Sequence, residues 1–267
     1  MVRGHCLVVG LVMLAGLAAS LAGGCSGQYE MAASDQLVPA GAQAPAAARL
    51  TRQEFWVYRR PIKQSPVRFW VDDQPQRAAL TDRKGYAAVN VPAPAQEGAY
   101  PLVIAYQDTD GDEVWVQRTA YVWPAEAQLA AVDLDQIDLR KPGDWPGALG
   151  ELAKQARLVY LTSRSAEQTP QLHARLEHAG LPDGPILLWD TRSLNDAAAL
   201  LTQLRGQFPN LGASVGKGRS ARIFEQSDLQ VRTLESLKPE PAAAPGATAE
   251  PAGAPTTAQP ATGEPSP

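Results

Sequence analysis

Apolar and polar residues follow one another in short runs between Phe55 and Gln117, and from Leu129 onward the apolar positions regroup into strand-length and helix-length clusters. In the first stretch the runs are Phe55-Trp56-Val57-Tyr58, Val67-Arg68-Phe69-Trp70-Val71, Tyr86-Ala87-Ala88-Val89-Asn90-Val91, Leu102-Val103-Ile104-Ala105-Tyr106 and Val114-Trp115-Val116-Gln117. Their β-branched and aromatic content predicts strands. Asp82-Arg83-Lys84-Gly85 and Asp108-Thr109-Asp110-Gly111-Asp112 are turn clusters between them. Strands at this spacing predict a small antiparallel sandwich over residues 51–125.

The second stretch, residues 126–237, reads as alternating strands and helices. Strands are expected at Leu129–Val132, Leu158–Leu161, Ile186–Trp189 and Ala213–Val215, and helices at Pro146–Ala156, Thr169–Ala179 and Leu194–Gln207. That alternation predicts a parallel sheet with helices on its faces, whose ligands lie at the carboxyl ends of the strands.

The ends of the chain are different in texture. One arginine, Arg3, precedes an apolar stretch from Leu7 to Leu21 that is short for a bilayer span, and small residues lead from there into Cys25. Leu21-Ala22-Gly23-Gly24-Cys25 resembles the lipobox of bacterial lipoproteins. The resemblance implies a signal peptide at residues 1–24, a lipid on Cys25, and a place in the cell envelope facing the periplasm or exterior. The cysteine count agrees, because Cys6, the other of the chain's two cysteines, falls inside the segment to be removed. Residues 25–50 are Ala-rich without a hydrophobic period and are expected to form a flexible tether. Residues 238–267 are Pro- and Ala-rich and are expected to be disordered. The formal net charge of −4, with no dense Lys/Arg block, gives no footprint for nucleic acid, and the lipobox resemblance implies the membrane as a partner, through the lipid on Cys25.

Candidate chemistry centres on Asp133-Leu134-Asp135, directly after the first strand of the α/β stretch. Alternation along an extended segment sends residues i and i+2 to one side, so both carboxylates are expected to face one site. One can attack a phosphoryl group while the other protonates the leaving group, with Mg²⁺ holding carboxylates and phosphate together. Thr162-Ser163, after the next strand, places two hydroxyls where they can reach the same phosphate.

With these residues the chain resembles the haloacid dehalogenase (HAD) superfamily, and within it the capless branch of lipin-like and related phosphatidate phosphatase domains. The likeness runs over residues 127–234 and includes Trp145-Pro146-Gly147-Ala148, Tyr160-Leu161-Thr162-Ser163-Arg164 and Gly180-Leu181-Pro182-Asp183-Gly184-Pro185-Ile186-Leu187-Leu188. It implies Asp133 as nucleophile, Asp135 as acid/base, Thr162 or Ser163 as the second-motif hydroxyl, and Mg²⁺ on Asp133 and Asp135. The expected fold is therefore a Rossmann-like HAD domain behind an all-β sandwich. Thr81 to Ala87 followed by Gly98 to Leu102 resembles bacterial Ig-like modules, which implies an Ig-like sandwich.

The chain departs from the HAD pattern in its later motifs. Leu194 to Pro209 contains no lysine, and Val215-Gly216-Lys217-Gly218-Arg219-Ser220 has no carboxylate until Glu225. Lys217 is the candidate replacement for the missing cation, Asp190 and Glu225 are candidate acids out of register, and Gln136 and Ile137 also depart from the pattern. The leading expectation is a membrane-anchored lipoprotein with a degenerate phosphatase domain retained as a binding module. An active Mg²⁺-dependent phosphatase on a phospholipid or other phosphomonoester, and an Ig-type envelope interaction protein, stand as alternatives. Three other motifs take plain readings: Gly216 to Ser220 is a basic loop without the full phosphate-loop pattern, Asp108 to Asp112 is a hairpin turn, and His173 and His178 belong to a solvated helix face.

Overall fold

The computed structural model describes residues 28–54, 58–191 and 193–237. Its first nine strands build two facing sheets. These are β1 (Tyr29–Ala33), β2 (Gln36–Pro39), β3 (Gln43–Glu54), β4 (Tyr58–Pro61), β5 (Pro66–Val71), β6 (Arg77–Leu80), β7 (Tyr86–Pro92), β8 (Gly98–Gln107) and β9 (Glu113–Trp123). In one sheet the long strand β3 pairs antiparallel with β1 along one edge and with β7 and β4 along the other. The second sheet has the order β2-β9-β8-β5-β6, antiparallel throughout except that β2 runs parallel to β9.

Between the sheets lie Ala46, Ala48, Leu50, Ala87 and Val91 from one side, and Val67, Phe69, Val71, Leu102 and Ile104 from the other. Each set comes from alternate positions of a strand, as the pleat requires. Residues 29–50 of the expected tether belong to this sandwich. Along β3, Ala44, Ala46, Ala48 and Leu50 are buried while Gln43, Ala47 and Arg49 are exposed. Alanine on both faces conceals a period of two from a hydrophobicity reading, and pairing on both edges overrides alanine's low strand preference. The sandwich therefore begins at Tyr29 rather than at residue 51. Cys25, the signal stretch, Phe55-Trp56-Val57 and the tail beyond Leu237 lie outside the described residues.

The second half alternates as expected: β10 (Leu129–Asp133), α1 (Trp145–Ala153), β11 (Arg157–Thr162), α2 (Thr169–His178), β12 (Ile186–Leu188), α3 (Leu194–Gln207) and β13 (Leu211–Val215). Three further elements follow, α4 (Arg219–Gln226), β14 (Gln230–Arg232) and α5 (Leu234–Leu237). The five strands are parallel in the order β12-β11-β10-β13-β14. Ala130, Val132, Leu158 and Tyr160 pack against Leu149 and Leu152 of α1 and Leu172 and Leu176 of α2. On the opposite face Leu129, Ala131, Val159 and Leu161 pack against Leu201 and Leu204 of α3 and Ile223 and Phe224 of α4. The chain winds outward from β10 to β12, crosses back, and continues from β13 to β14. Strand order thus reverses between β10 and β13, which opens a crevice at their carboxyl ends.

The two halves share apolar and polar contacts. Leu37 of β2 and Tyr121 and Trp123 of β9 join the same core as Leu187, Trp189 and Leu201. Asp35, only 1% exposed, bolts the junction. Its Oδ1 accepts from the Thr119 amide at 3.2 Å, and its Oδ2 accepts from the Ile186 amide at 3.0 Å and lies 2.5 Å from His173 Nε2. Tyr121 donates its hydroxyl to Asp183 at 3.2 Å. His173 is thus part of a junction rather than of a solvated helix face.

Candidate functional site

β10 ends in Asp133 because the chain turns there into a short 3-10 turn, Leu134–Gln136, which Asp133 caps: its Oδ1 accepts from the Asp135 amide at 3.1 Å. Asp135 therefore sits on a turn and not on an extended strand, and the turn, rather than alternation, brings both carboxylates to one cleft. That cleft has a volume of about 180 Å³ and lies at the switch point. Asp133, Asp135, Gln136 and Ser163 line one wall, with Lys217, Arg219 and Ser220 opposite and Thr191 at its side.

Asp133 is 6% exposed. Burial pushes its carboxyl above the ordinary carboxylate range, against the opposing pull of hydrogen bonds from Gln136 and the Asp135 amide. Its Oδ2 accepts from Gln136 Nε2 at 2.6 Å. Asp135 is held from the end of β11. Thr162 Oγ1 donates to its Oδ1 at 2.6 Å, the amide and hydroxyl of Ser163 donate to its Oδ2 at 2.7 and 2.6 Å, and Arg164 Nε stands 3.4 Å from Oδ1. The hydroxyls expected to reach a phosphate are thus bonded to the acid/base candidate, and the arginine beside them balances its charge.

Across the cleft, β13 passes into α4 through Gly216-Lys217-Gly218. A methyl on Gly216 would come within 2.8 Å of the Phe224 ring and 2.9 Å of Ser220 Oγ, so only glycine lets the turn close on its helix. Gly218 adopts φ of 64° and directs the chain into α4. The Lys217 carbonyl accepts from Gln136 Nε2 at 2.9 Å and from Ser220 Oγ at 3.0 Å, while the Lys217 side chain lines the cleft.

A divalent cation on Asp133 and Asp135 is poorly served by this donor set. Among the described residues no three His, Cys, Asp or Glu side chains are grouped to hold a metal. Glu225 lies exposed toward the end of α4, and Asp190 is exposed after β12. The place facing Asp133 Oδ2 is taken by an amide nitrogen, which repels a cation. Sequence reasoning brought Asp133, Asp135, Ser163 and Lys217 to one cleft and noted Gln136 only as a departure from a pattern. It missed Arg164, Thr191 and Ser220; Ser220, three residues after Lys217 at the start of a helix, was the one with a local signal.

No protein-family model matches this sequence, and no curated protein matches it. Among solved structures the chain is similar to a carbohydrate acetylesterase from Xanthomonas citri, at 10% identity and a TM-score of 0.32, over 74% of this chain and 66% of that one. It is similar also to a family 39 glycoside hydrolase from Bacteroides cellulosilyticus, at 9% identity and a TM-score of 0.27, over 76% of this chain and 50% of that one. The chain thus spans less than two thirds of the length of either. Likenesses at these scores carry neither fold nor activity over to this chain.

Proposed function

We propose that this chain is a cell-envelope lipoprotein, held at a membrane by a lipid on Cys25, whose α/β half is a HAD-like phosphatase-type domain that binds a phosphate-bearing group without hydrolysing it. The observation that carries this reading is the state of the two carboxylates: Asp135 spends both oxygens on Thr162, Ser163 and Arg164, and Asp133 faces an amide nitrogen. A nucleophilic carboxylate needs its charge and a cation beside it, whereas burial raises the pKa of Asp133 and the Gln136 amide nitrogen stands at its Oδ2. Lys217 and Arg219 beside the cleft, with the first amides of α4, supply the positive potential that an anion requires.

A phospholipid headgroup and a free phosphomonoester offer the same chemistry to this cleft. The test is turnover of p-nitrophenyl phosphate by the full chain in Mg²⁺, beside a melting curve with inorganic phosphate and with short-chain phosphatidic acid. Turnover is expected to match that of Asp133→Asn, and one or both phosphate ligands are expected to raise the melting temperature. Mg²⁺-dependent turnover that disappears in Asp133→Asn would establish an active phosphatase instead, and absence of any ligand effect would remove the binding role.

A further inference from the structure

Gln136 reaches across the switch-point crevice and joins its two sides. Its Nε2 lies 2.6 Å from Asp133 Oδ2 and 2.9 Å from the Lys217 carbonyl oxygen, and it also hydrogen-bonds Ser220 Oγ. A backbone carbonyl only accepts, so the Lys217 oxygen fixes the carboxamide with its nitrogen inward. That nitrogen carries two protons and is ringed by three oxygens. Ser220 Oγ turns its own proton to the Lys217 carbonyl at 3.0 Å. A carboxylate, a backbone carbonyl and a hydroxyl converging on one point are the donor chemistry of a hard cation, which accepts any number of lone pairs up to its coordination shell.

We propose that the Gln136 side-chain nitrogen is a built-in replacement for a divalent cation, so that the crevice is assembled without metal and becomes a Mg²⁺ or Ca²⁺ site only when that side chain is removed. The inference rests on the reading of the α/β half as non-catalytic, and it deepens that reading by naming what stands in the cation's place. The positive edge of an amide holds the β10 and β13 ends together as a metal would. It has no Lewis acidity to lend to a phosphoryl group. Gln136 is on this account a positioning residue for Asp133 and for the Lys217 turn.

The experiment is thermal melting of the full chain in detergent, in EDTA and in saturating Mg²⁺ or Ca²⁺. The native protein is expected to melt at the same temperature in each. Gln136→Ala is expected to melt lower in EDTA and to recover by roughly 5–10 °C in cation, the shift for a ligand about a hundredfold above its Kd. The recovery is expected to be lost when Asp133→Asn is added. A native protein stabilised by cation through Asp133, or a Gln136→Ala protein indifferent to cation, overturns the proposal. Should Gln136→Ala fail to fold in either condition, Gln136→Lys decides, because an ammonium brings three protons to three oxygens: a folded, cation-indifferent variant supports the replacement and an unfolded one refutes it. Failure of the non-catalytic reading would register as Mg²⁺-dependent turnover by the native protein, which melting does not measure, so the two failures are distinguishable.

Discussion

Replacing His173 by alanine tests the bolt between the two halves. The imidazole Nε2 stands 2.5 Å from Asp35 Oδ2, and Asp35 is 1% exposed, so the substitution leaves a buried carboxylate with the Thr119 and Ile186 amides as donors and the Arg118 charge nearby. Removing one partner of a fully buried pair costs about 3–5 kcal/mol. His173 is 28% exposed, so water enters the vacated space, and the expected loss falls to about 2–3 kcal/mol. For a chain of this size that lowers the melting temperature by roughly 4–12 °C. The loss should depend on pH. Burial pulls the imidazole toward its neutral form, but the hydrogen bond and charge of Asp35, with Asp183 adding and Arg118 opposing, raise its pKa above the ordinary value. A raised folded pKa means that the stabilisation is complete below about pH 6.5 and is lost as pH rises through the folded value. Urea melts of native and His173→Ala protein at pH 5.5 and pH 8.5 should therefore differ more at the lower pH. A difference that grows toward alkaline pH, or is below about 0.5 kcal/mol throughout, would refute the coupling.

Two further substitutions probe other parts of the chain. Cys25→Ser should abolish incorporation of a fatty-acid analogue in growing cells, and undiminished labelling would remove the lipid anchor. Gly216→Ala should cost about 1–3 kcal/mol in urea unfolding, because the added methyl meets the buried Phe224 ring, which stacks on Trp189 with centroids 5.3 Å apart and has no room to retreat. An unchanged midpoint would show that the turn has slack.

The α/β half was legible in the sequence because its strands are continuous apolar runs and its helices carry their apolar residues three and four apart. Leu129–Asp133 and Leu194–Gln207 needed no partner to be recognised. The opening strands were not legible, since Ala44, Ala46 and Ala48 differ from Ala47 only in which way they point, and that is decided by β1 and β7. The site divides in the same way. Asp133 and Asp135 stood out through their position after a strand. Gln136 depends on Lys217, 81 residues away, and Asp35 depends on His173, 138 residues away, so neither pairing has a local signature. Thr162 and Ser163 were expected to serve a ligand, and the burial of Asp133 and the turn at Asp135 direct them to a carboxylate instead.

The early start of the sandwich bears on how the proposed lipid anchor would hold the molecule at a bilayer. Three residues separate Cys25 from Tyr29, the first residue of β1, and the four Cα-to-Cα steps, fully stretched, reach about 14 Å. With the proposed acyl chains on Cys25 the folded body would have a short leash in place of a long one. Glu30 of that first strand pairs with Arg59 at 2.9 Å, and Arg59 pairs with Glu167 at 2.7 Å, three residues beyond the Arg164 that flanks the cleft. On the proposed anchor, these ion pairs would hold the start of β1 on the side of the molecule that carries Arg164, and the proposed ligand would be met close to the lipid surface.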